Sequence, residues 1–205
     1  MKLSDIQGRI SQEMQNFSGK LLTLANSAWQ TLKQQSEVTQ EIAKDPFTGP
    51  VKEQAATAEL LIVLLHVCDR IASAAFSATV SEQIASGLRQ SFMTALVGTT
   101  VPAFVRTACP DETEDEQEET QTDLLHLYNT RALQYGFFPP GSSQAPQESE
   151  PLFTLAGIRL AEALECPENA EVIIHGMEVV IETLATLRTK LPLKETIGRI
   201  IAGAR

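Results

Sequence analysis

The sequence predicts an all-α protein: a single-domain bundle of about six to seven helices around one central apolar helix in the Val51–Phe76 region. The composition is rich in helix-forming residues, and aromatic residues make up only 5%. Apolar residues recur at helical intervals, and proline and glycine fall between the periodic segments. With 205 residues, the chain is long enough to bury a core without a disulfide or metal.

The first predicted element is one long amphipathic helix from Met14 to Ala43. Its apolar positions repeat with the period of an α-helix at Phe17, Leu21, Leu24, Ala28 and Leu32. The helix is expected to end at the segment KDPFTGP, in which two prolines and a glycine stop helical structure.

The second predicted helix begins near Val51 and is apolar nearly all round, which is typical of the most buried helix of a bundle. A narrow polar stripe interrupts it on one side. Its members are Glu59, His66, Asp69, Arg70, Ser73 and Ser77. Burying lone charges costs several kcal/mol, so this stripe must be paired, hydrated or functional.

A third helix is predicted over Ser81–Leu96, with Pro102 and Pro110 breaking the segment that follows. A fourth runs from an acidic segment to Tyr135.

A Pro- and Ser-rich loop is predicted at residues 139–151, followed by three helices at Leu152–Leu164, Glu168–Leu191 and Leu193–Ala204. The residues after this loop are too few to sustain a core of their own. We therefore expect residues 1–205 to form one domain.

The charge is distributed unevenly over a chain with net charge −10. Seven of the nine residues Asp111–Glu119 are acidic, but the glycine and spaced ligands of a calcium-binding loop are missing. Such a surface repels a phosphate backbone, so nucleic acid is not an expected partner. The C-terminal segment is basic, and we expect it to dock on the acidic patch of its own domain.

The chain is expected to be a soluble cytoplasmic protein. Its three cysteines, Cys68, Cys109 and Cys166, are an odd number and form no C-x-x-C pair. The N-terminal residues lack the apolar core of a signal peptide. The longest uncharged apolar run, Leu60–Cys68, is too short to span a bilayer.

The triplet LLH occurs twice, in LLHVCDR at Leu64–Arg70 and in LLHLYNTR at Leu124–Arg131. The first repeat lies in the polar stripe and permits two interpretations. One is an Asp69–Arg70 ion pair beside a satisfied histidine. The other is a ligand-binding pocket formed by His66, Asp69 and Arg70.

A metal site is an alternative that needs both repeats. His66 and Asp69 would join Asp123 and His126 if the second and fourth helices were neighbours in the right register, since metal sites take three or four ligands from several elements. The competing interpretation places His126 on the solvent side, because Leu124, Tyr128 and Tyr135 mark the opposite face as the core side. His175 is likewise expected at the surface, among Glu171, Glu178 and Glu182.

Arginine and aromatic residues cluster at the end of the fourth helix. Such residues are enriched at interface hot spots, which makes the cluster a candidate contact surface, or else one end of the core. Its members are Arg131, Tyr135, Phe137 and Phe138.

No nucleotide-binding, hydrolase or zinc-protease motif is present in the sequence. We therefore expect a non-catalytic protein–protein interaction, adaptor or assembly module that acts on a protein partner or self-associates. No tightly bound cofactor is expected. The alternative is a helical bundle that binds a metal or small ligand through the stripe around His66, Asp69 and Arg70.

Overall fold

A computed structural model describes residues 3–135 and 149–202, and in these residues the chain is helical, without strands. The predicted all-α bundle is confirmed. The eight helices of the described residues are α1 (Leu3–Lys33), α2 (Ser36–Ala43), α3 (Gly49–Ser77), α4 (Glu82–Ala108), α5 (Glu114–Gln134), α6 (Ser149–Ala163), α7 (Ala170–Lys190) and α8 (Leu193–Ala202).

Helix α3 is the central helix, as the sequence predicted. It contacts α1, α2, α4, α5, α6 and α8. Every residue from Ala56 to Asp69 is buried, including the charged Glu59 and Asp69. An apolar circumference leaves such a helix no solvent-facing side, so the other helices surround it.

The prediction of one helix over Met14–Ala43 is wrong in its continuity. Helix α1 ends at Lys33, and Gln35 is extended (φ −72°, ψ 135°) before α2 begins at Ser36. No apolar residue lies between Leu32 and Val38, so a straight helix would bury nothing over this stretch. The break places Val38 fully inside the core, at 0% exposure.

Helix α4 also differs from the prediction, because it continues through Pro102 to Ala108. A proline inside a helix removes one backbone hydrogen bond and crowds the preceding turn. Here Val101, Phe104 and Val105 are buried on both sides of the proline. The burial of these side chains offsets the lost hydrogen bond. Sequence periodicity alone did not indicate that the helix continues past the proline.

Helix α5 begins with a capping box. The Thr113 hydroxyl accepts a hydrogen bond from the Glu116 backbone N–H, and the Glu116 carboxylate accepts one from the Thr113 N–H. The acidic first turn also meets the positive end of the helix dipole. The helix packs on α4 and α3.

The helices that follow residue 149 pack against the first half of the chain. Helices α6 and α8 contact α3, and α7 contacts α1. The basic helix α8 does not dock where expected: it packs on α3 and α1, and Arg199 Nη2 lies 3.8 Å from Glu13 Oε2. Its buried residues Leu193, Ile197 and Ile200 explain this position.

Of the helices in the described residues, α3 has the length and composition needed to cross a membrane, with a mean hydropathy of 1.7 over its most apolar window. Two thirds of that window, 67%, is buried inside the fold. Core helices of soluble proteins share this property, so the finding is weak support for a membrane span.

Candidate functional site

The polar stripe of α3 faces α5 and α4, where it forms what we call the polar seam. Helical spacing sets its α3 members on one side, and the partner helices supply complementary groups. The seam consists of Glu59, His66, Asp69 and Arg70 on α3, Arg89 on α4, Tyr128 and Arg131 on α5, and Tyr135 directly after α5.

Asp69 is paired with an arginine of another helix. Arg89 Nε and Nη2 donate to Asp69 Oδ1 and Oδ2, each at 2.6 Å, and Asp69 is 4% exposed. This two-pronged geometry is the strong form of an arginine–carboxylate pair. The predicted Asp69–Arg70 pair is therefore corrected: Arg70 Nη2 instead donates to the carbonyl oxygen of Tyr135.

Glu59 is the most deeply buried charge of the seam, at 2% exposure. It accepts a hydrogen bond from the Tyr135 hydroxyl at 2.5 Å and from Arg131 Nε at 3.0 and 3.1 Å. Burial, followed by the nearby Glu59 carboxylate, raises the pKa of Tyr135 well above its ordinary value. Tyr135 is thus a fixed donor that ties the end of α5 to α3.

His66 stacks on the ring of Tyr128, with ring centroids 4.5 Å apart and planes 6° from parallel. Its Nε2 lies 3.2 Å from the Tyr128 carbonyl oxygen. Burial lowers the pKa of His66 to about 4, so the ring is neutral at pH 7 and Nε2–H donates to that carbonyl. The two LLH segments therefore do meet, through His66 and Tyr128 and not through their two histidines.

The four residues of the alternative metal site are not brought together as ligands. His66 and Asp69 are buried in the seam, whereas Asp123 and His126 are exposed on the other side of α5. Within the described residues, no group of three or more His, Cys, Asp or Glu side chains is placed to hold a metal ion.

The predicted contact surface is only partly within the described residues. Arg131 and Tyr135 lie in the seam, and the side chain of Arg131 is 13% exposed. Phe137 and Phe138 lie outside the described residues. The side chains of Arg131 and Tyr135 both donate hydrogen bonds to Glu59, which leaves little of either side chain for a partner protein.

The charged and polar groups of the seam are engaged in contacts within the chain. Asp69, Glu59 and His66 each have a partner inside the chain. Burial raises the pKa of all three cysteines, that of Cys166 to about 11, which disfavours the thiolate form. What the seam does chemically is hold α5 against α3 and α4 in one register.

Sequence reasoning missed Arg89 and its role. The sequence did contain a signal for this partner of Asp69, because Arg89 is the only charged residue of α4 between Glu82 and Arg106. It also missed that His175 is half-enclosed: Nε2 lies 3.4 Å from Glu37 Oε2 of α2, and Nδ1 lies 3.3 Å from Glu178 Oε2. Helical period locates a residue on its own helix but not the helix opposite.

A second feature lies where α2 turns into α3, and we call it the corner. Phe47 is 92% exposed and Val51 is 63% exposed, and Pro46 and Pro50 beside them are exposed too. The turn is held by Asp45, whose carboxylate accepts the Phe47 N–H at 2.9 Å and whose carbonyl accepts the Gly49 N–H at 3.0 Å. The hydrogen bond from the Phe47 N–H holds the pKa of the Asp45 carboxyl below its usual range.

One turn beyond Val51, on the same face of α3, Gln54 lines a groove of about 180 Å³ between α1, α3 and α4. Gln54 Nε2 donates to the carbonyl oxygen of Ala108, at the end of α4. The groove is lined by Leu22, Asn26, Trp29, Gln30, Glu53, Gln54, Thr57, Phe104, Thr107 and Ala108.

Comparisons with protein-family models, with curated proteins and with solved structures found no match for the chain. No family, relative or structural neighbour therefore suggests an activity for the polar seam, the corner or the groove.

Proposed function

We propose that the chain is a non-catalytic protein-interaction module of the cytoplasm, acting as an adaptor or assembly factor, and that its contact surface is the corner. The observation that carries this proposal is the 92% exposure of Phe47 on a hydrogen-bonded turn. An aromatic side chain held out in solvent contributes little to the fold, whereas its burial by a partner contributes roughly 1.5–3 kcal/mol.

The surroundings of Phe47 support a protein partner. Val51 adds a second exposed apolar side chain one turn away, and two prolines limit the freedom that ordering would remove. The net charge of −10 disfavours nucleic acid as the partner. The expected complement is a protein surface with an apolar pocket large enough for one phenylalanine ring.

Site-specific photo-crosslinking tests the proposal. A photoreactive amino acid replaces Val51, and the chain is irradiated in cells with either Phe47 or Phe47→Ser in the background. A second version carries the same group at Ile84, which is 46% exposed on α4. We expect a discrete protein adduct at position 51 that is weak in the Phe47→Ser background and absent at position 84.

The adduct alone is not sufficient, so the captured protein is then purified and its affinity measured by calorimetry. We expect Phe47→Ser to weaken binding by about tenfold or more, the loss expected for an interface hot spot. Equal affinities for the two chains, or no adduct at position 51, would show that the corner is not the contact surface.

A further inference from the structure

We propose that the groove between α1, α3 and α4 is a binding site for a small organic amine with an apolar body, such as an aralkyl ammonium ion. This site is separate in its residues from the corner and does not depend on a protein partner. Its shape, its charge and the position of one lysine point to this ligand class.

The groove combines apolar walls with one carboxylate. Leu22 and Phe104 supply apolar surface, and Glu53 lies at the margin with its side chain 30% exposed. A dry cavity of about 150 Å³ is sufficient for benzene, so the 180 Å³ of the groove accommodates one benzene-sized ring. Small-molecule sites are typically apolar with a few placed polar groups.

The electrostatics of the groove favour a cation. Glu53 contributes a negative charge, and the last turn of α4, represented by Thr107 and Ala108, presents the negative end of its helix dipole. The base that contacts Glu53 is Lys33, with Nζ 2.6 Å from Oε1. An anionic ligand would meet the Glu53 carboxylate and the carbonyl end of α4 in the lining of the groove.

Lys33 marks the position of the ligand's ammonium group. Its Nζ lies 2.6 Å from Glu53 Oε1, while the indole Nε1–H of Trp29 is 3.3 Å from Oε2. The lysine side chain is 39% exposed, and exposed ion pairs are weak, of the order of 0–1 kcal/mol. A ligand that brings both an ammonium group and a ring can therefore displace it, because the ring adds apolar burial that the lysine lacks.

Two carboxamides at the rim are available to a ligand. Asn26 and Gln30, one turn apart on α1, are exposed and their side chains donate no hydrogen bond within the described residues. They can accept from the ammonium hydrogens that Glu53 does not take. The walls, the carboxylate and the rim together account for an amphipathic cation better than for a neutral or anionic molecule.

The experiment uses the fluorescence of Trp29, the sole tryptophan of the chain, which lines the groove. The 205-residue chain is titrated at low salt with benzylamine, with the neutral benzyl alcohol and with the anionic benzoate. We expect saturable fluorescence change with benzylamine, much weaker change with benzyl alcohol, and none with benzoate.

Two variants with opposite expected effects guard against an unfolded protein being mistaken for a lost site. Glu53→Gln removes the carboxylate and is expected to weaken benzylamine binding about tenfold, the value of one charge-assisted hydrogen bond. Lys33→Met removes the resident cation and is expected to tighten binding several-fold. Glu82→Gln, an exposed carboxylate at the start of α4, is the matched control.

Benzylamine binding that saturates, weakens in Glu53→Gln and tightens in Lys33→Met supports the proposal. Equal responses to the three compounds, no saturation, or a Lys33→Met variant that binds no better than the wild type would overturn it. None of these results bears on the corner, so the proposed function is tested separately.

Discussion

At the scale of single residues, the chain places charges inside a helix bundle and gives each a specific partner. Glu59, Asp69 and His66 are at most 5% exposed, and their partners come from α4 and α5. A buried carboxylate that lost its partner would be left as an uncompensated charge, which costs roughly 3–5 kcal/mol. The seam therefore sets the register of α5 more firmly than apolar contacts alone, which can slide.

His66 makes stability depend on pH in a defined window. In the unfolded chain the imidazole binds a proton as the pH falls below its ordinary pKa of 6.5. In the folded chain it binds a proton only as the pH falls below about 4, because burial disfavours the charged ring. Between these values the unfolded state binds more protons, so stability falls as the pH is lowered. We expect His66 to contribute a loss of up to about 3 kcal/mol between pH 6.5 and pH 4.

Urea denaturation at several pH values measures this effect. The His66→Gln variant is expected to show a shallower decline than the wild type over that window. His126→Gln, which changes an exposed histidine of α5, is expected to decline as steeply as the wild type. If both variants followed the wild-type slope, His66 would not be the group responsible.

At the scale of helices, two glycines let α6 and α7 pack closely. Gly157 of α6 lies against the backbone of α7, so that an added Cβ would come within 2.5 Å of the Ile173 carbonyl oxygen and 2.7 Å of Met177 Cγ. Gly176 of α7 faces Gly157 from the other side, with 3.2 Å from its added Cβ to the Gly157 Cα. Two small residues let the helix backbones approach more closely than any side chain would permit.

Gly157→Ala is therefore expected to destabilise the protein by about 1–3 kcal/mol, because the helices must move apart. Gly98→Ala is the matched control, since Gly98 also lies inside a helix but an added Cβ meets nothing within 4 Å. That substitution is expected to stabilise by up to about 1 kcal/mol through helix propensity. Urea denaturation followed by Trp29 fluorescence measures both, and effects of the same sign would contradict the packing argument.

Helix boundaries show where sequence reasoning succeeded and where it stopped. The segment KDPFTGP before α3 was predicted from the sequence to interrupt the helices, because breakers act within a few residues. The break before α2 and the continuation of α4 through Pro102 were not. Each depends on whether nearby side chains are buried by a different helix, which local sequence does not state.

At the scale of the whole molecule, α3 joins the two parts of the chain. Helices α1, α4 and α5 from the first half of the chain contact it, and so do α6 and α8 from the second half. Removing either group would expose apolar side chains of the same central helix. The prediction of one domain over residues 1–205 leads to a measurable expectation.

We expect a single cooperative unfolding transition. Trp29 reports on α1, and far-UV circular dichroism reports on all the helices, so their urea midpoints should coincide if α6, α7 and α8 unfold with the first half. A circular dichroism transition that persists after the fluorescence change is complete would indicate a separately folded C-terminal unit. As a control, both measurements are repeated after the chain is cut between residues 139 and 148, before α6 begins. If the parts on either side of the cut fold as one unit, the two midpoints should still coincide.

The sequence by itself determined the all-α class, the central helix and the need for partners along its polar stripe. These follow from periodicity and from the cost of burying charge, both of which act along one helix. Tertiary structure decided which partners these are: Arg89 for Asp69, Tyr128 for His66, and Arg131 with Tyr135 for Glu59. It also decided that the corner and the groove lie on the surface. Pairing between helices depends on their relative rotation and register, and these are set by the packing of the entire core.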